Sequence, residues 1–537
     1  MDGMHADLSG VNPLANNLTH RAVIGDMLTR GAEIFGERTA LVAGEQTLSY
    51  RELEARANAV ARGLLDHDLR RGDRVALQMG NRWEFVVTFF ACAKVGIVAL
   101  PLNLASSPSD IAYQLVDSGA RALVTEEPFL PVLQKALQLT DDATARSVHV
   151  LGATPGDIAG LPAHDWTALL EHDTTTIEVI VEDRDILHCL YTSGTTSLPK
   201  GVVTSHVAVQ LATLTTALQL GMRPTHTGAV MPIVLPLFHV TALDTLLLPT
   251  LQTGGTAILH REFDPGTVLK DFATRGVTHI ALLPAMWAAI LDHPELSEVD
   301  THTLRTGFYA MAPMPEQRLQ AIRTAFPQAD IILGSGQTET TPLSEAQWPE
   351  HQGKKDNSWG AAVITTDVRI MGVDGQLLPP GEEGAIVYRT PQLMDGYWNN
   401  PEANTVAFAG GWFHGGDVGY RDEDGVVWFT DRTKDMVKTG GENVASVEVE
   451  RVLLAEASVA ECAVVGIPDE RWGEAVTAHV VPAIGHTLDL EALREACKRT
   501  LAGFKVPKRF VIVDTLPKTA TGKIKKHEVR AEYDAKA

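Results

Sequence analysis

Short strand-like runs alternate with helical patterns from about residue 20 onward, and that alternation restricts the fold more than any other feature. "RVALQMG" (74–80) reads as a strand and "WEFVVTFFACAKVG" after it as a buried helix. The runs "RALVTEE", "ILHCLYTSG", "GTAILH", "HIALLPA" and "DIILGSG" repeat the strand pattern downstream. In Tyr50–Leu65, residues Leu53, Ala57, Val60, Ala61 and Leu64 recur at helical spacing. Helical crossovers are what join parallel strands, so layered α/β subdomains with largely parallel sheets are expected. After residue 360 the pattern turns β-rich, and "YRDEDGVVWFTDR" predicts a hairpin about Asp424-Gly425. The last hundred residues read as a small α+β unit with a helix near Glu491–Leu501. A chain of 537 residues exceeds one simple core. The expected division is a large domain over 1–432 and a small one over 433–537.

Charge removes two classes of partner. A net charge of −22 disfavours non-specific binding to nucleic acid or to an anionic membrane. Residues 229–251 have the length of a spanning helix, but Pro232, Pro236, Pro249, His239 and Asp244 interrupt them. Buried strand plus helix is the expectation there, without membrane insertion. Cys92, Cys189, Cys462 and Cys497 fall in no paired or zinc-like spacing and read as reduced thiols. No basic segment followed by an apolar one opens the chain, so a cytoplasmic protein is expected. The tail reverses the sign: between Lys498 and Arg530, ten Lys or Arg stand against Asp514 and Glu528. Either a solvated face or a polyanionic small ligand accounts for such a run.

The segment "YTSGTTSLPKGVV" (191–203) carries the most chemistry. Ser193, Thr195 and Thr196 offer hydroxyls, Gly194 and Gly201 let backbone amides approach an anion, and Lys200 adds a point charge. A Walker loop needs GxxxxGK before Ser or Thr; here Lys200 precedes Gly201, so that reading fails. A phosphate-holding loop of another kind remains, beside the plain alternative of an inert hydroxyl-rich loop.

This loop resembles the signature of the adenylate-forming superfamily, and the resemblance extends along the chain. "PLFHV" (236–240), "AMAPM" (310–314), "GSGQTET" (334–340), "GWFHGGDVG" (411–419), "DRTKDMVKTGGENV" (431–444) and "PKTATGKIKK" (517–526) follow in the family's order. The resemblance implies an acyl-CoA synthetase, of the fatty-acid or aryl-acid branch, with a small mobile C-terminal domain. Such an enzyme uses ATP to make an acyl-adenylate and passes the acyl group to coenzyme A.

The site residues follow by the same resemblance. Thr192, Ser193, Gly194, Thr195, Thr196 and Lys200 hold the phosphates, and Glu339, with Thr195, holds Mg2+. Ser335, Gly336, Gln337 and Thr338 border the nucleotide, Asp417 accepts the ribose hydroxyls, and Arg432 meets the ribose or α-phosphate. Lys523 is the adenylation lysine, His239 borders the acyl tunnel, and Lys434 is the hinge. Gly440 and Gly441 line the pantetheine tunnel, while Trp472, Phe504 and Lys508 meet the CoA nucleotide. A lone histidine in an apolar run is otherwise a core residue, and Trp472 a partly buried hydrophobe.

The family usually has an aromatic where Ser335 stands, a small residue at Met311, and often Thr at Gly415. Weaker adenine stacking is therefore expected. Three alternatives stay open: a ligase biased toward a preformed adenylate, transfer to a carrier-protein phosphopantetheine, or a non-catalytic acid- or nucleotide-binding protein. The intact Lys200, Glu339, Asp417 and Lys523 argue against the last. The apolar stretch 229–251 favours a hydrophobic acid, and the oligomeric state is not readable.

Overall fold

Arg74–Gln78 is buried over four of its five residues, which requires neighbours on both edges and cover on both faces. In the computed structural model, which describes residues 8–140, 144–152, 156–192, 198–310, 314–519 and 523–534, that strand lies at the centre of a nine-stranded sheet. Val98–Pro101 and Ala122–Glu126 flank it in parallel, and Ile186–Thr192 runs parallel to Val98–Pro101. The helix Trp83–Val95, buried at every residue after Trp83, packs on this sheet and against Tyr50–Asp66. Ser49 begins that second helix with a capping box to Glu52.

A five-stranded sheet carries His279–Leu282, Thr306–Tyr309 and Asp330–Gly336 in parallel, then turns antiparallel at Leu343–Ala346. Residues 229–251 begin as the strand Val230–Ile233 and continue into a π-helical turn, Thr241–Leu247, and the helix Leu248–Gln252. Asp244, fully buried there, meets buried His188 at 3.0 Å. Among the described residues no helix is long and apolar enough to cross a membrane.

Beyond residue 360, Asp367–Met371, Gly384–Arg389, Phe413–Arg421 and Val427–Arg432 form an antiparallel sheet, its last two strands joined about Asp424-Gly425. The final sheet, built on the long hairpin Val459–Asp469 and Gly473–Pro482, has its own apolar clusters, drawn only from Val437 onward.

The basic tail is mostly ion-paired. Lys505 meets Glu448, Arg509 Asp469, Lys518 Glu461, Lys526 Glu450 and Arg530 Asp435, partners that lie outside the run counted in the sequence. Lys498–Glu495 and Lys525–Glu528 add local pairs. The sequence excess of cations is therefore offset in space. Lys508 and Lys523 stand apart from this pairing, one beside Trp472 and the other coupled by charge to Arg432 and Asp417.

Candidate active site

The hydroxyl-rich segment is flanked by two antiparallel strands, Ile186–Thr192 and Lys200–Ser205, and not by the strand and helix of a Walker loop. Thr192 and Lys200 close its base as an antiparallel pair; Ser193, Gly194, Thr195 and Thr196 lie outside the described residues. The strand Lys200–Ser205 also pairs with Gly396–Tyr397, and this register brings a residue that sequence reasoning missed. The Tyr397 ring lies under Lys200 Nζ at 4.8 Å, and its hydroxyl donates to Glu339 Oε1 at 2.8 Å. Burial, then the Glu339 charge, raises the Tyr397 pKa, so it remains a neutral donor. Glu339 itself sits on the single turn Thr338–Thr340.

Asp417 and Arg432 are directly opposite in neighbouring strands, with Arg432 Nε 3.1 Å from Asp417 Oδ1. Asp417 is 3% exposed. Burial raises its pKa; Arg432 and Lys523 act against that. Gln337 Nε2 approaches its other oxygen at 3.4 Å. A Cβ at Gly415 would collide with the Gln337 amide, which accounts for glycine there.

Lys523 keeps a solvent-exposed face. Burial of its other side, then Arg432, pushes its ammonium down to about 8, while Asp417 pulls upward. Lys434, half-buried, is lowered by burial and Arg432 in turn. His239 is held neutral at about 4 by burial, then by the Lys523 cation. Its Nδ1 faces the Thr241 N–H at 3.3 Å. The neutral ring accepts there, so its proton resides on Nε2. Thr241, whose N–H faces His239, also lines a narrow apolar pocket of about 10 Å3 with Leu235, Ala281, Leu282, Leu283, Phe308 and Ala310. A larger cleft of about 300 Å3, bordered by Arg74, Arg184, Cys189 and Trp398, contains none of the expected site residues.

Ser335 lies near the end of the strand Asp330–Gly336, opposite Glu345, and Phe308 packs on neighbouring Gly334. Met311 lies outside the described residues. Gly336, at φ +153, admits no Cβ because the Pro342 carbonyl is in the way.

Gly440 and Gly441 form a two-residue hairpin turn between Val437–Thr439 and Glu442–Val444, with φ of 62° and 86°. Positive φ at both central positions is the reason for two glycines. The Gly440 N–H donates to the Trp472 carbonyl at 2.7 Å. Half-buried Trp472 carries Arg471 at 4.7 Å and Lys508 at 5.5 Å from its ring centre. Phe504, 37% exposed, lies near Lys505 on the same unit.

Among the described residues no three His, Cys, Asp or Glu side chains group to hold a metal ion. That suits Mg2+, which keeps waters and phosphate oxygens and needs only one or two protein carboxylates.

Residues 28–398 match the model for AMP-binding enzymes, and residues 448–523 match the model for the AMP-binding enzyme C-terminal domain. A feruloyl-CoA synthase of Amycolatopsis sp is 36% identical over 510 residues, 95% of this chain and 99% of that protein. The long-chain-fatty-acid–CoA ligase FadD13 of Mycobacterium tuberculosis is 33% identical over 95% of this chain and 99% of its own. The crystal structure of the anthranilate CoA ligase AuaEII in complex with anthranoyl-AMP superimposes with a TM-score of 0.87 at 27% identity, over 96% of this chain and 98% of that one.

Proposed function

The chain belongs to the AMP-binding enzyme family and is an acid–CoA ligase acting through an acyl-adenylate with ATP, Mg2+ and CoA, and we propose that its acid is a hydrophobic aryl acid. The apolar lining of Leu235, Ala281, Leu282 and Phe308 beside Thr241, whose N–H meets His239, is the observation that carries this reading. The aryl acids named for the feruloyl-CoA and anthranilate relatives favour a ring over a long chain.

In this reading the acid carboxylate lies between the pocket and the α-phosphate, with Lys523 delivering the cation that offsets charge as the anhydride forms. Neutral His239 offers its Nε2 proton as a donor toward the carboxylate without adding charge. Asp417 accepts the ribose hydroxyls, as a carboxylate does best for a cis-diol, and Arg432 holds it. Thr192 and Lys200, with Ser193, Gly194, Thr195 and Thr196 between them in sequence, would hold the phosphates, while Ser335, Gly336, Gln337 and Thr338 border the nucleoside. Glu339 and Thr195 would hold Mg2+, which supplies charge neutralisation on the phosphates.

We assign residues 1–432 to one domain and 433–537 to a mobile one, hinged at Lys434. Separate apolar clusters on the two sides support that division. The charge coupling of Lys523 to Asp417, Arg432 and His239 supports an adenylation pose. In the other pose Gly440 and Gly441 would border the thiol arm. Trp472, Lys508 and Phe504 would meet the nucleotide of free CoA, the observation favouring CoA over a carrier protein. Four buried free thiols suit the reducing cytoplasm.

The test is pyrophosphate release without CoA, then thioester formation with it, across aryl and long-chain acids. Aryl acids should give the higher kcat/KM. A preference for long chains would overturn the aryl reading.

A further inference from the structure

Beside Asp417 the fold buries a second carboxyl that the reaction as described does not use. Glu345 is 0% exposed on the strand Leu343–Ala346, in register with Ser335. Its Oε2 accepts from the Ser344 hydroxyl at 2.7 Å, whereas its Oε1 is buried without a hydrogen-bond partner. The buried Tyr388 hydroxyl lies against this carboxyl, and Asp417 Oδ1 has Arg432 Nε at 3.1 Å. Strands of two sheets thus bring three buried polar groups together under the site, and the unpartnered Glu345 oxygen costs stability unless a network closes it.

We propose that Glu345, with Tyr388, is a positioning pair behind Asp417 that holds its carboxylate in line for the ribose hydroxyls. The proposal rests on the assignment of Asp417 to the ribose.

Burial, then the Asp417 charge, pushes the Glu345 carboxyl up to about 8, against the hydrogen bonds of Ser344 and Tyr388. At neutral pH it therefore keeps its proton and can donate, while Tyr388, raised by burial and by Glu345, remains an undissociated phenol. Asp417 is then the one carboxylate of the pair, facing Arg432, with Lys523 and Lys434 attracting it and Glu339 repelling it. The native state retains a proton that the unfolded chain loses above the ordinary value of 4.5, so this group subtracts stability as pH rises from there toward 8. Retaining it at that cost argues for work in the site. Above that pH its ionisation sets a second negative charge against Asp417 and should spoil the diol contact.

The probe is adenosine, which has the ribose and no phosphate for Lys523 to meet. Its Kd should rise about tenfold between pH 7 and pH 9.5 as Glu345 ionises. Glu345→Gln keeps a neutral donor, so it should bind adenosine at pH 7 nearly as tightly and lose the alkaline rise. Glu345→Ala should bind weakly at every pH. Tyr388→Phe, by removing a hydrogen bond that favours the ionised form, should move the rise to higher pH. An alkaline rise unchanged in folded Glu345→Gln would overturn the positioning role, and so would normal binding by Glu345→Ala. 2′-Deoxyadenosine separates the two readings: if it binds as adenosine does, Asp417 is not the diol acceptor and the underlying assignment falls.

Discussion

Tyr397→Phe isolates one hydrogen bond in the phosphate end of the site. The ring stays under Lys200, and only the hydroxyl that donates to Glu339 Oε1 at 2.8 Å is lost. A hydrogen bond to a charged group contributes about 1.5–3 kcal/mol. Glu339 is half-buried, so water can replace part of that, and the lower end applies. Loss of a group that orients a metal-binding carboxylate weakens metal affinity about tenfold to a hundredfold. Together these give about a tenfold higher Mg2+ requirement for adenylation. The assay is pyrophosphate release at saturating ATP and acid, titrated with Mg2+ for both proteins. Thioester formation from a supplied acyl-adenylate needs no phosphate clamp and should be unchanged. An unaltered Mg2+ midpoint in Tyr397→Phe would refute the idea that Tyr397 orients Glu339. Loss confined to Tyr397→Ala would then assign the effect to the ring's contact with Lys200.

Lys523→Ala should slow adenylation about a hundredfold while sparing thioesterification of a supplied adenylate; equal losses in both half-reactions would contradict its role. Gly441→Leu should impair only thioester formation, and Gly441→Ala, which shares the strain at φ 86° but lacks the reach, supplies the comparison in coupled half-reaction kinetics. Ser335→Tyr should tighten ATP about fivefold if adenine lacks an aromatic face; weaker binding on titration would mean that Phe308 already fills that space. His149, buried between His67 and His164, is held neutral at about 3, below the 6.5 of an unfolded histidine. Its stability contribution is thus complete above pH 6.5 and lost as pH falls, by about 1.4 kcal/mol per unit. His149→Phe should flatten the decline in thermal stability between pH 7.5 and 5, and an identical decline would contradict the assignment.

The layered sheets were legible because apolar periodicity is local: Tyr50–Leu65 and "DIILGSG" became the helix Tyr50–Asp66 and the strand Asp330–Gly336 within a residue. Asp417 and Arg432 were each found from motifs, but their 3.1 Å contact follows from antiparallel register, which no single motif contains. The tail shows the opposite failure, since a count along the chain could not see that Glu448, Asp469 and Glu461 lie across from its cations.

Tyr397 and Glu345 were missed for one physical reason. Each acts on a residue that its own neighbours in sequence do not announce: Tyr397 reaches Glu339 across 58 positions, and Glu345 comes beside Asp417 through two different sheets. Composition treats Glu345 as one more acid in a chain of −22, although burial makes it a neutral donor at pH 7. Motifs name the groups that touch substrate; the groups that hold them in place are found through register and burial. Ser335 belongs to both sets. Read alone, it is a lost aromatic; read against its partner Glu345, it borders a buried acid that acts on Asp417 from behind. Nucleotide affinity in this chain then depends on how well that carboxyl keeps its proton as well as on what stacks against the base.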